Sequence, residues 1–130
     1  MSFWQKIFSK TFSRPLALNG ADRAWVANRW EQIAQLEKTG SPSALRQAVI
    51  EGDKLLEFVL KKLVNENQSL GENLKQAKDL FPSWSLYQQV WEAHKIRNAL
   101  VHEAGFEPTQ GLTRETIAKF RLALQTLGAL

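Results

Sequence analysis

The run from Ser41 to Val64, SPSALRQAVIEGDKLLEFVLKKLV, leaves this chain the least freedom. Ser41 followed by Pro42 is a helix start: the hydroxyl accepts from an orphan backbone N–H, and the fixed φ of proline suits the first helical position. Leu45, Val49, Gly52, Leu56, Val59 and Leu63 then recur at alternating intervals of four and three. That is the period of a helix with one apolar face and not of a strand. Such a face must be covered by other elements, and no stretch of useful length shows strand-like alternation. The expected fold is therefore an all-α antiparallel bundle, with four main helices and a short one. Gly52, inside the stripe, lets another helix approach closely. Asp53 borders the same face, where a carboxylate needs a partner. Two readings stand: a pair with Arg97, or solvent and the neighbouring Lys54 and Lys61.

The other segments fit the same plan. A first helix begins after Asn19 or Asp22, carries Val26, Trp30, Ile33 and Leu36 as its stripe, and ends at Gly40. Ser69-Leu70-Gly71-Glu72 has capping-box spacing and opens a short helix with Leu70, Leu74, Ala77 and Leu80, stopped by Pro82. The stretch Tyr87–Gly105 reads as a further helix, capped by Ser83 or Ser85. Glu103–Gly111 reads as a turn-rich loop. Thr113 is expected to cap a closing helix over Thr113–Gly128 with Ile117, Phe120, Leu124 and Leu127 inward.

Charge divides the chain. Residues 1–14 hold Lys6, Lys10 and Arg14 and no acid, whereas residues 15–130 hold 14 basic and 13 acidic residues. The globular part is nearly neutral, so a broad non-specific nucleic-acid surface is not expected; any RNA contact should be local, near Arg97 and Lys95. Residues 1–20 read as a basic amphipathic segment and linker, with Phe3, Trp4, Ile7, Phe8 and Phe12 at helical spacing, and residues 21–130 as the helical domain. The amphipathic segment packs on the domain or a partner chain, or makes a weak contact with an anionic membrane surface. No 18-residue apolar run is present, and MSFWQKIFSK lacks a continuous apolar segment of signal-peptide length. The expectation is a cytoplasmic protein, membrane-peripheral if the segment is used that way. With no cysteine and two histidines, no metal-binding pattern emerges.

Both histidines lie on the Tyr87–Gly105 helix. With Arg97 at 0° on a helical wheel, His94 falls near 60°, Asn98 near 100° and His102 near 140°, while Ala93, Ile96 and Leu100 take the opposite, core side. The polar face thus gathers a guanidinium, an amide and two imidazoles. Arginine offers a planar fork that matches phosphate oxygens, and histidine exchanges protons near neutral pH. The same residues also suit a helix C-terminus, where the dipole favours cations. Trp91, near 120°, is read first as core or dimer interface and second as a base-stacking residue.

The segment RNALVH, Arg97 to His102, resembles the signature of the HEPN family: Arg, a polar residue, three more residues, then His, on a helix of a small all-α domain. Asn98 fits the position where that family commonly has Asn, Asp or His. The upstream helix containing EGDKLLEFVLKKL and the closing helix fit as well. The resemblance implies an endoribonuclease that needs neither metal nor cofactor, toxin-like, acting as a homodimer that joins two such motifs in one cleft. An antitoxin or a nucleotidyltransferase would be the partner protein. By the same resemblance His102 serves as general base or acid, Arg97 stabilises the transition state and Asn98 positions groups. Lys95 and Trp91 would touch substrate. Asp53 and His94 would support, His94 being either a second acid/base or a surface histidine. A second reading comes with it: a non-catalytic binding or dimerisation module, in which Arg97 and His102 bond to Asp53 or to backbone carbonyls.

Overall fold

Local capping chemistry sets where each helix starts. The computed structural model describes residues 17–130, so the amphipathic reading of residues 1–14 lies outside them. Helix α1 spans Gly20–Thr39 and begins in a capping box: Asp22 N donates to Asn19 Oδ1 at 2.8 Å, and Asn19 N donates to Asp22 Oδ2 at 3.1 Å. It ends at Gly40, whose φ of 73° places it in the left-handed region that a glycine C-cap supplies. Helix α2 spans Pro42–Leu63, with Ser41 Oγ accepting from Ala44 N at 3.2 Å. Helix α3, Leu70–Gln76, opens with the Ser69–Glu72 box and runs into a 3₁₀ turn at Lys78–Leu80. Helix α4 spans Trp84–His102 and is capped by Ser83, whose Oγ accepts from Leu86 N at 3.1 Å. It stops at His102, short of Gly105, which takes a left-handed turn at φ 81°.

Helix α5 spans Gln110–Thr126 and corrects one expectation. Its cap is Thr109, which accepts from Leu112 N at 3.1 Å, and not Thr113. Thr113 lies one turn inside, buried, and its hydroxyl donates to Thr109 O at 2.9 Å. Gln110 and Gly111, read as loop, belong to the first turn, where a glycine's conformational freedom is offset by the cap and by the burial of Thr113 and Thr116.

The described residues form an all-helical bundle of five helices and contain no strand. Helix α2 is its axis: α1, α3, α4 and α5 all pack against it, and α5 also packs on α4. Its buried surface is accordingly wider than one stripe, with Ala44, Ala48, Leu55 and Leu60 added to Leu45, Val49, Leu56 and Val59. Phe120 of α5 rests directly on Gly52. A Cβ built on Gly52 would stand 2.8 Å from Phe120 Cδ2, so the absence of a side chain there sets the α2–α5 spacing. Core residues such as Leu56, Leu124 and Phe120 are fully buried, each contributing roughly 1.5–3 kcal/mol of hydrophobic stabilisation. No described helix is long and apolar enough to cross a membrane.

Helices α2 and α4 run antiparallel. Arg46, early in α2, reaches the last turn of α4 by donating from Nη2 to Leu100 O at 2.6 Å. Asp53, seven residues later, meets α4 one to two turns earlier, at His94 and Arg97. The polar residues of both helices meet along this seam.

Candidate functional site

Asp53 is the foundation of the site. It points from the border of the α2 apolar face into the contact with α4, and only 1% of it is exposed. A carboxylate so placed is strongly unfavourable without partners. His94 Nδ1 lies 2.7 Å from Asp53 Oδ2. On the other oxygen, Arg97 Nε stands 3.5 Å from Oδ1, an ion-pair contact that is not a hydrogen bond. Arg97 Nε is buried without a hydrogen-bond partner among the described residues. Arg97 Nη1 instead donates to Asn98 Oδ1 at 2.9 Å, and Asn98 Nδ2 faces His94 Nε2 at 3.4 Å.

These four contacts close a ring: Asp53, His94, Asn98, Arg97 and back to Asp53. Its hydrogen-bond directions are mutually consistent. With the carboxylate accepting, His94 Nδ1 donates, Nε2 accepts from the Asn98 amide, and the Asn98 oxygen accepts a hydrogen bond from Arg97 Nη1. Trp91 walls one side, edge-on to His94 with ring centroids 6.1 Å apart. Its own position is held by Tyr87, edge-on at 6.4 Å, and Tyr87 is anchored by donating its hydroxyl proton to Leu74 O at 3.0 Å. No family model, curated protein or solved structure matches the chain. The chemistry must be read from the ring itself.

The side chains expected at the site separate into two groups. Asp53, His94, Arg97 and Asn98 come together. His94 is not a surface histidine: its side chain is 13% exposed and is the closest partner of Asp53. Trp91 is half-buried and packs on the core. His102 lies apart. As the last residue of α4 it is exposed, and among the described residues it has no hydrogen-bond or ion-pair partner. It borders a cavity of about 400 Å³ walled by Arg46, Leu100 and the loop Glu103–Glu107. Lys95 is exposed and likewise unpaired among the described residues. Arg46, which lines the same cavity as His102, is not among the site residues the sequence singles out. The available signal was its spacing of seven residues from Asp53, which sets both on the same side of α2.

In chemical terms the ring orients an imidazole and a guanidinium. A carboxylate sheltered from water supports both. Fixing a group in advance in this way removes reorganisation from a reaction step. Arg97 keeps a quarter of its side-chain surface open (25%).

Proposed function

We propose that the chain is a metal-independent endoribonuclease of HEPN type, toxin-like, which works as a homodimer and cleaves RNA through the substrate's own 2′-hydroxyl. The observation that carries this reading is the ring built on buried Asp53, because it holds Arg97 and Asn98 of the RNALVH segment in place while leaving Arg97 partly open. His102 takes the proton of the 2′-hydroxyl, or gives one to the leaving oxygen. The 2′-oxygen attacks phosphorus, the bond from phosphorus to the 5′-oxygen breaks, and that oxygen leaves protonated. The products are a 2′,3′-cyclic phosphate and a 5′-hydroxyl. Arg97 stabilises charge on the equatorial oxygens. Asn98, between Arg97 and His102 on the wheel, positions the phosphate. The proton that one His102 does not handle is exchanged by the His102 of the second copy, while His94, bonded to Asp53 and facing Asn98, holds the ring.

A non-catalytic dimerisation module is the second reading. It is favoured by the close His94–Asp53 contact of 2.7 Å, which suits a polar tie between α2 and α4.

The deciding experiment incubates the full chain with mixed single-stranded RNAs in EDTA. The expected outcome is cleavage leaving cyclic phosphate ends, about 10²–10⁴-fold slower for His102→Ala at an unchanged melting temperature, since His102 is exposed. Mixing Arg97→Ala with His102→Ala chains should restore part of the activity if the cleft is shared between two copies. Wild type and His102→Ala equally inert on all RNAs, with His102→Ala impairing dimerisation, would leave the module.

A further inference from the structure

Trp84 is the most exposed large hydrophobic side chain among the described residues, at 59%. It is the first residue of α4. The Nζ of Lys78, from the 3₁₀ turn, sits over its ring 4.7 Å from the centroid. Tyr87 braces it, with ring centroids 5.7 Å apart. An indole left this open contributes little to the core, and the ammonium held against it adds a positive charge beside a stacking face.

Position along α4 gives this pair its meaning. Eighteen residues separate Trp84 from His102, which is five turns of helix and about 27 Å, so the two side chains share one azimuth. Trp91, Lys95 and Asn98 fall within about 40° of the same line. Within α4 that line carries Lys95 and His102 and no acidic residue. An aromatic with Lys78 at one end, Lys95 along the way and the proposed chemistry at the other end suit an unpaired strand, whose bases are free to stack while its phosphates run past the two lysines. A duplex keeps its bases stacked on one another and cannot offer one to Trp84.

We infer that Trp84, with Lys78 against its ring, is a base-stacking subsite for single-stranded RNA laid along α4 toward Asn98 and His102. The choice of RNA rests on the ribonuclease reading above. Residues 15–130 carry 14 basic and 13 acidic side chains, so stacking rather than bulk charge holds the strand, and binding should weaken only shallowly with salt.

The test is fluorescence anisotropy with a labelled twelve-nucleotide single-stranded RNA and the matching duplex. Full-length His102→Ala protein is used so that the probe survives. Adding Trp84→Ala should weaken single-strand binding by about 5- to 150-fold, the range for loss of one stacked base. Trp84→Phe should recover most of that loss, and Lys78→Gln should weaken binding less. The duplex should bind more weakly than the single strand and be insensitive to Trp84. Single-strand affinity within twofold of the parent after Trp84→Ala overturns the inference, as does an equal loss for the duplex. So does a concentration-dependent fall in sedimentation coefficient caused by Trp84→Ala, because Trp84 would then be a contact between copies. Tight, Trp84-dependent binding by a wild type that cuts nothing would remove the ribonuclease reading and leave the subsite standing. Cleavage indifferent to Trp84 would do the reverse.

Discussion

Replacing Asp53 by alanine tests the foundation of the site. The substitution removes the acceptor of a 2.7 Å contact to His94 and the counter-charge 3.5 Å from Arg97 Nε. Removing one partner of a buried ion pair costs about 3–5 kcal/mol, because the surviving charge is left in a poor solvent. Two features place this case at the lower end. Arg97 is 25% exposed and His94 13% exposed, so water partly replaces the carboxylate. About 3 kcal/mol is expected. For a domain of this size that lowers the melting temperature by roughly 10–15 °C, since each kcal/mol moves it by a few degrees. Asp53→Asn keeps an acceptor for His94 Nδ1 but turns an amide donor toward Arg97 Nε, so it should recover only part of the loss. Urea unfolding followed by circular dichroism measures both. Double-mutant cycles with His94→Ala and Arg97→Ala then apportion the effect. The coupling of Asp53 to His94 should exceed its coupling to Arg97, in keeping with the shorter, directly bonded contact. A loss below 1 kcal/mol for Asp53→Ala, or the opposite order of couplings, would refute the view that the carboxylate supports the ring.

Gly52→Ala should destabilise by about 1–3 kcal/mol, through the 2.8 Å approach of the new Cβ to Phe120 Cδ2, and Phe120→Leu should relieve part of it in a double mutant followed by urea unfolding. Thr109→Ala should cost about 0.5–2 kcal/mol by removing the cap on Leu112 N, read as a shift in unfolding midpoint; no loss would show that α5 starts elsewhere.

The helices were largely legible because their starts depend on neighbours in sequence. Asn19 with Asp22, Ser41 with Pro42, Ser69 with Glu72, and Ser83 all cap within three residues of themselves. The error at α5 has a different origin. Thr109 and Thr113 stand one turn apart, both suited to capping, and burial of Thr113 against the core decided between them. That is a tertiary effect with no local signature. The site divides along the same line. Two charges bordering apolar faces leave two readings open for Asp53, Arg97 or solvent with Lys54 and Lys61, and burial of the carboxylate against α4 decides for Arg97. The closer His94 contact did not follow, because a wheel separates polar from apolar faces without saying which polar residues a neighbouring helix covers. Antiparallel α2 lies over the Arg97–His94 edge of that polar face and turns part of it inward.

The wheel does contain the feature that most constrains mechanism. Arg97 and His102 differ by about 140° in azimuth and about 7.5 Å in rise. Once α2 draws Arg97 toward Asp53, His102 is necessarily carried away from it, out to the exposed end of α4. Both cannot face α2 on one straight helix. A phosphodiester touched by both side chains of one chain must therefore cross the ridge between them, over Asn98 near 100°. Asn98 is already fixed there by Arg97 Nη1 and faces His94 Nε2. The alternative is a cleft that takes Arg97 from one copy and His102 from another. On the ribonuclease reading proposed above, the one-chain geometry would place Asn98 between Arg97 and His102. In that one-chain geometry the amide that closes the ring around Asp53 would also border the proposed substrate, which would tie the stability of the α2–α4 seam to the proposed chemistry.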